Sequence, residues 1–167
     1  MRHLKAIGYI VASEILSLFI GLTLASSAMT FMKLICAVCT VGILICLMAN
    51  FAMNTASEDL KKSRTENLKL SPLVPLATGV TASLPSLASW IVLFVSHKTS
   101  GFDFYKWHKL LNAYFLQIYN FINSDASSSA LTSAQVWLML PLVAVPFASY
   151  VTVYALTVKG VIKAPVR

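Results

Sequence analysis

Four long apolar stretches dominate this chain and leave few folds open to it. They cover about residues 6–28, 34–53, 72–95 and 135–158. Each reaches the length of about 20 residues with which a helix crosses a bilayer. Of the 167 residues, 57% are hydrophobic and 11% are charged, against about 25% charged residues in an average soluble domain. The sequence therefore predicts an all-α membrane protein of four transmembrane helices in a single domain.

Lysine and arginine residues gather at the ends of these stretches and form no patch. The net charge of +7 is therefore interpreted as a signal of membrane topology and not of nucleic-acid binding. Nine lie on the side of the chain termini (Arg2, Lys5, Lys61, Lys62, Arg64, Lys69, Lys159, Lys163 and Arg167) and four on the other (Lys33, Lys98, Lys106 and Lys109). Because basic residues favour the cytoplasmic side, we expect a cell-membrane protein with both termini in the cytoplasm.

The N-terminal stretch has an alternative interpretation as a cleaved signal peptide. Arg2 and Lys5 provide a basic start, and Ser26-Ser27-Ala28 resembles a small-residue cleavage site. The apolar region is longer than a usual signal core and contains Glu14, which favours a retained first span. Residues 26–30 would then form the turn of an antiparallel hairpin between the first two spans.

Glu14 is the only carboxylate inside the apolar stretches. An acid at that depth costs about 2.5–3.5 kcal/mol unless it meets a partner or water. Helical spacing puts it on one face with small residues, which suit close helix packing: Ser17, Gly21, Ala25 and Ala28. Glu14 is interpreted either as a neutral structural acid or as a proton or cation site, with hydroxyl partners expected among Thr78, Thr81, Ser149 and Thr152.

Prolines interrupt the third and fourth stretches, which also carry those four hydroxyl residues. Pro75 and Pro85 lie in the third stretch, and Pro141 and Pro146 in the fourth. Each proline removes a backbone donor, and transporters use broken helices of this kind near the midplane. Residues 74–81 and 145–152 match at five of eight positions, as a short inverted repeat would, although kinks that improve packing also account for the prolines.

Two connecting segments are predicted to be helical. Residues 54–71 are expected to extend the second span, with Thr55 and Glu58 at capping-box spacing and Pro72 opening the third span. Residues 102–122 are expected to form an amphipathic helix lying flat at the membrane interface, or a lid over an outward-facing cavity. Its interface residues are Phe104, Trp107 and Tyr114, with Lys106 and Lys109 near the headgroups.

The three cysteines, Cys36, Cys39 and Cys46, all lie in the second stretch. With its four spans, Cys36-Ala-Val-Cys39 and long second outer loop, the layout resembles the disulfide bond formation protein B family. That resemblance implies a membrane thiol-disulfide oxidoreductase using Cys36 and Cys39. The long outer loop lacks the family's second cysteine pair, and buried thiols at a helix interface are the alternative interpretation.

The leading functional prediction is a non-enzymatic accessory subunit or a component of a small-solute or ion carrier. It would act as a homo-oligomer or in a larger membrane complex, with Glu14, Ser17 and the four hydroxyl residues lining a shared cavity. The thiol oxidoreductase and an immunity or pore-type membrane factor are the alternatives. No cofactor is expected, and no metal site, because the three histidines are dispersed.

Overall fold

The computed structural model describes residues 1–24, 30–67, 70–99 and 101–162, and within them every regular element is a helix. In chain order these are α1 (Arg2–Leu24), α2 (Thr30–Glu66), α3 (Leu73–Thr99), α4 (Tyr105–Leu110), α5 (Leu116–Ile122), α6 (Ser133–Val143) and α7 (Val145–Val158). Short 3₁₀ turns precede α5 and α6. Helices α1, α2 and α3 and the α6–α7 pair are each long and apolar enough to cross a membrane. The prediction of four spanning helices is confirmed at that level, while the predicted turn at residues 26–30 falls almost wholly outside the described residues.

Helix α2 has 37 residues and continues well past the apolar stretch. At 1.5 Å per residue it is about 55 Å long, nearly twice the thickness of a bilayer's hydrocarbon core. The predicted helical extension of the second span is thus confirmed as far as Glu66. Thr55 caps nothing, because it lies within α2, where its hydroxyl donates to the Phe51 carbonyl and bonds the Tyr150 hydroxyl. Pro72 directly precedes α3, as predicted.

Polar contacts join four helices at one end of the bundle, which we call the Arg2 end. Arg2 forms an ion pair with Asp59 near the end of α2. The Tyr154 hydroxyl of α7 donates to the same carboxylate over 2.7 Å. His3 Nδ1 lies 2.8 Å from the Thr81 hydroxyl of α3. The start of α1, the end of α2, the start of α3 and the end of α7 therefore lie together.

The proline-rich spans behave differently from each other. Helix α3 runs through Pro85 without interruption, so the predicted break in the third span is wrong. The fourth span does break, at Ala144 between Pro141 and Pro146. There the Phe147 N–H donates to the Ser83 hydroxyl of α3 over 3.1 Å. A hydroxyl on a neighbouring helix thus replaces the backbone acceptor that the break removes.

The α3–α7 contact depends on Gly79, and its substitution gives a test of the packing. A Cβ at this position would lie 2.9 Å from both Phe147 Cδ2 and Val151 Cγ2. We expect Gly79→Ala to destabilise the protein by about 1–2 kcal/mol, because overpacking outweighs the better helix propensity of alanine. Thermal unfolding in one detergent measures this. Gly42→Ala is the matched control, since nothing lies within 4 Å of its Cβ; an equal loss there would contradict the steric explanation.

Residues 104–122, which we call the inserted segment, fold back between α1, α2 and α3. The sequence predicts a single flat helix here, whereas the structure has α4, a 3₁₀ turn at Ala113–Phe115, and α5. The break falls at Asn112, whose φ of −135° and ψ of 50° are not helical. It changes which side chains face the bundle: Tyr114 is 0% exposed, whereas Trp107 is 58% exposed.

Candidate functional site

Glu14 binds the backbone of the inserted segment. Its Oε2 accepts a hydrogen bond from the Ala113 N–H over 2.7 Å. Glu14 lies near the middle of α1, so the 3₁₀ turn reaches about half the depth of that helix. Irregular backbone at such a depth is stable only where protein groups satisfy it. Glu14 therefore has a clear structural partner, which is a backbone amide and not one of the predicted hydroxyls.

Helices α2 and α3 hold the same turn. The Thr40 hydroxyl of α2 donates to the Tyr114 carbonyl over 3.0 Å. The Ser86 hydroxyl of α3 lies 2.6 Å from the Tyr114 hydroxyl. One turn before Thr40, the Cys36 thiol is close enough to Gln117 for a side-chain hydrogen bond. Each of the first three spans thus contributes a polar side chain to the inserted segment.

A second cluster of buried polar side chains surrounds His108 of α4. Its Nδ1 lies 2.8 Å from the Ser89 hydroxyl, and the Asn112 amide donates to that hydroxyl over 3.2 Å. Burial lowers the pKa of His108 to about 4, although the hydrogen bond to Ser89 acts to raise it. The imidazole is therefore neutral at physiological pH.

Three buried polar atoms border this region without a hydrogen-bond partner in the described part of the chain: Glu14 Oε1, Ser17 Oγ and His108 Nε2. Ser17 and His108 are fully buried. Buried polar atoms in native proteins nearly always have a partner, so each of these atoms has room in its hydrogen bonding for a water or a small ligand. Glu14 and Ser17 are three residues apart on α1 and share a face.

The structure brings together only part of the predicted site. Glu14 bonds the inserted segment, and Ser17 lies one helical turn from Glu14 on the same face of α1. Thr81 bonds His3 at the Arg2 end. His3 precedes Glu14 by 11 residues along α1, so Thr81 and Glu14 are separated by about 16 Å along the helix axis. Thr78 is buried and donates to the Val74 carbonyl. The two residues from α7, Ser149 and Thr152, are half-buried and exposed respectively.

The predicted interface residues occupy different environments. Trp107 and Lys106 are exposed and Phe104 is half-buried, whereas Tyr114 is in the core. Lys109 is buried, donates to the carbonyls of Asn123 and Asp125, and lies 4.3 Å from the Tyr105 ring centroid. Burial lowers the pKa of Lys109 to about 8, opposed by the nearby Asp125 charge. Lys109 therefore anchors the following loop.

The three cysteines differ in their exposure. Cys36 is buried against the inserted segment, whereas Cys39 and Cys46 are exposed, and all three thiols are free. Within the described ranges no group of three or more His, Cys, Asp or Glu side chains is placed to hold a metal ion.

The sequence-based prediction missed Thr40, Ser86, Ser89, His108 and Asn112. A signal for the α3 residues was present: Ala82, Ser86, Ser89, Leu93 and Ser96 recur at helical spacing, and all are buried. That small, polar stripe indicates a face that packs against protein and not lipid. Nothing in the sequence indicates that the inserted segment supplies the matching partners.

The buried histidine predicts a specific pH dependence. Because the folded-state pKa of His108 is about 4, against an ordinary 6.5, the unfolded state binds more protons between these pH values. The contribution of His108 to stability should therefore fall by up to about 3 kcal/mol as the pH drops from 6.5 to 4. Thermal unfolding across this range measures the loss. His108→Gln should remove this component of the slope, and an unchanged slope in that variant would contradict the assignment.

Three comparisons with known proteins found no relative of this chain. No family model matches the chain, and no match was found among curated proteins or solved structures.

Proposed function

We propose that this protein is a non-enzymatic component of a membrane carrier assembly, which binds a proton or small cation at Glu14. The observation that carries the proposal is that Glu14 Oε1 and the Ser17 hydroxyl, one helical turn apart on α1, are both buried without a hydrogen-bond partner in the described part of the chain. A carboxylate at membrane depth with an unused oxygen is a typical ion or proton site.

The proposal assigns a gating role to the inserted segment. It fills the space between α1, α2 and α3, so an ion reaches Glu14 only if the segment moves or a partner subunit completes a path. Its outward side chains, Trp107, Leu111 and Phe121, are about half exposed. These apolar groups suit contact with the lipid interface or with partner helices. A homo-oligomer or a larger complex is therefore part of the proposal, as is a cytoplasmic location of both termini, which rests on the distribution of basic residues.

The test is labelling by an apolar carbodiimide, which reacts with protonated carboxyl groups inside membranes. The purified protein in liposomes is treated across a pH series, with sodium chloride or choline chloride at equal ionic strength. We expect a modified Glu14 peptide by mass spectrometry, with labelling that rises as the pH falls or is reduced by sodium. Glu14→Gln should abolish it, while Glu66→Gln should not. Labelling that is absent from Glu14, or insensitive to both pH and sodium, would overturn the proposal and leave Glu14 a structural residue.

A further inference from the structure

Three adjoining cavities at the Arg2 end form one amphipathic surface. The first is an apolar groove of about 330 Å³ between α3 and α7, lined by Pro75, Leu76, Val151 and Ala155. A crevice of about 200 Å³ shares Leu70, Ser71 and Tyr154 with it. These three shared residues lie where the apolar lining of the groove gives way to the more polar lining of the crevice.

The crevice leads in turn to a polar basin. This basin has about 430 Å³, shares Asp59, Lys62 and Val74 with the crevice, and is also lined by Arg2 and Lys5. The series therefore runs from an apolar groove on the bundle flank to a charged basin between the helix ends.

Within the described part of the chain, the basin carries more positive than negative side chains. Asp59 is already engaged by Arg2 and by the Tyr154 hydroxyl. In the described part of the chain, Arg2–Asp59 is the ion pair present. Among the described residues that line the basin, Lys5 and Lys62 therefore face one remaining acid, Glu58. Lys159 adds a further cation at the end of the apolar groove.

We infer that this surface binds one anionic phospholipid of the leaflet at the Arg2 end. An acyl chain occupies the groove between α3 and α7, and the phosphate lies over the crevice near Lys62. Basic pockets between transmembrane helices suit such headgroups, because attraction to the phosphate adds to the burial of the chain. The site is separate from Glu14 and independent of the proposed carrier function.

The experiment compares thermal unfolding in nanodiscs of phosphatidylcholine with unfolding in discs that also contain phosphatidylglycerol. Phosphatidylglycerol should raise the wild-type midpoint by about 2–4 °C, the size of shift that a modest ligand gives in a chain of this length. The Lys5→Gln/Lys62→Gln variant should lose the shift. A Lys98→Gln/Lys106→Gln variant, changed at the opposite end, should keep it.

Filling the groove separates a lipid site from simple surface attraction. Ala155→Phe leaves every cation in place but occupies the groove, so it should also lose the midpoint shift and retain fewer phosphatidylglycerol molecules in native mass spectrometry. Inorganic phosphate added to phosphatidylcholine discs should have no effect. The inference is overturned if the shift persists in the Lys5→Gln/Lys62→Gln variant or in Ala155→Phe, or if phosphate alone reproduces it.

Discussion

Glu14→Ala should release the inserted segment from the middle of the bundle. The change removes the acceptor of the Ala113 N–H, and Ala113 is only 1% exposed, so the amide loses its partner away from water. An unpaired buried donor costs about 1–3 kcal/mol. Hydrogen exchange at residues 112–116 should therefore become about 10–100-fold faster, since each 1.4 kcal/mol is a factor of ten. Mass spectrometry of the protein in nanodiscs measures the rate.

Glu14→Gln is the matched variant, because its amide oxygen still accepts the hydrogen bond while the group no longer titrates. Exchange in residues 112–116 should stay close to the wild-type rate, and the carbodiimide-reactive group should be gone. The pair of variants separates the two roles of this residue: Ala removes both the acceptor and the acid, and Gln removes the acid alone. Equal exchange rates in wild type and Glu14→Ala would show that the bond does not hold the segment.

The spanning helices were predictable because each apolar stretch carries its own signal. The length and hydropathy of residues 34–53 suffice for a spanning helix whatever its neighbours are. The same local reasoning failed at Pro85, where α3 continues, and succeeded near Pro146, where the span breaks. What distinguishes them is tertiary: at the second site Ser83 of the neighbouring helix accepts the Phe147 N–H, and no sequence pattern reveals that contact.

The candidate site was predictable only in part, for a similar reason. Glu14 is conspicuous as the single acid in an apolar stretch, so its need for a partner follows from the sequence. Its actual partner is the Ala113 backbone, and backbone groups leave no sequence signal. Helical spacing also grouped Trp107 with Tyr114, since they are seven residues apart. The break at Asn112 separates them, leaving one exposed and the other buried.

These contacts explain why an acid is tolerated at this depth. The inserted segment breaks its helical hydrogen bonding at Asn112, which leaves backbone groups in need of partners between α1 and α2. Glu14 satisfies one such donor, and Thr40 satisfies the Tyr114 carbonyl. The polar residues of the spans and the irregular turn are thus two parts of one structure, and the loss of either leaves the other unsatisfied.

Tyr114→Ala should be among the most destabilising single changes in this chain. The ring is fully buried, packs edge-on against Phe115 with centroids 4.7 Å apart, and its hydroxyl bonds Ser86. Truncation of a large buried aromatic side chain costs about 3–5 kcal/mol. The thermal midpoint should therefore fall by about 10 °C, given about 2–4 °C per kcal/mol for a chain of this length.

Two further variants assign the cause of that loss. Tyr114→Phe keeps the ring and leaves Ser86 without its partner, so it should cost only about 1 kcal/mol. Trp107→Ala removes a larger aromatic group from the same segment, but the side chain is 58% exposed, and its loss should change stability by less than about 1 kcal/mol. If Trp107→Ala proved as damaging as Tyr114→Ala, contact with lipid and not burial within the bundle would be what holds the segment, as the flat interfacial helix predicts.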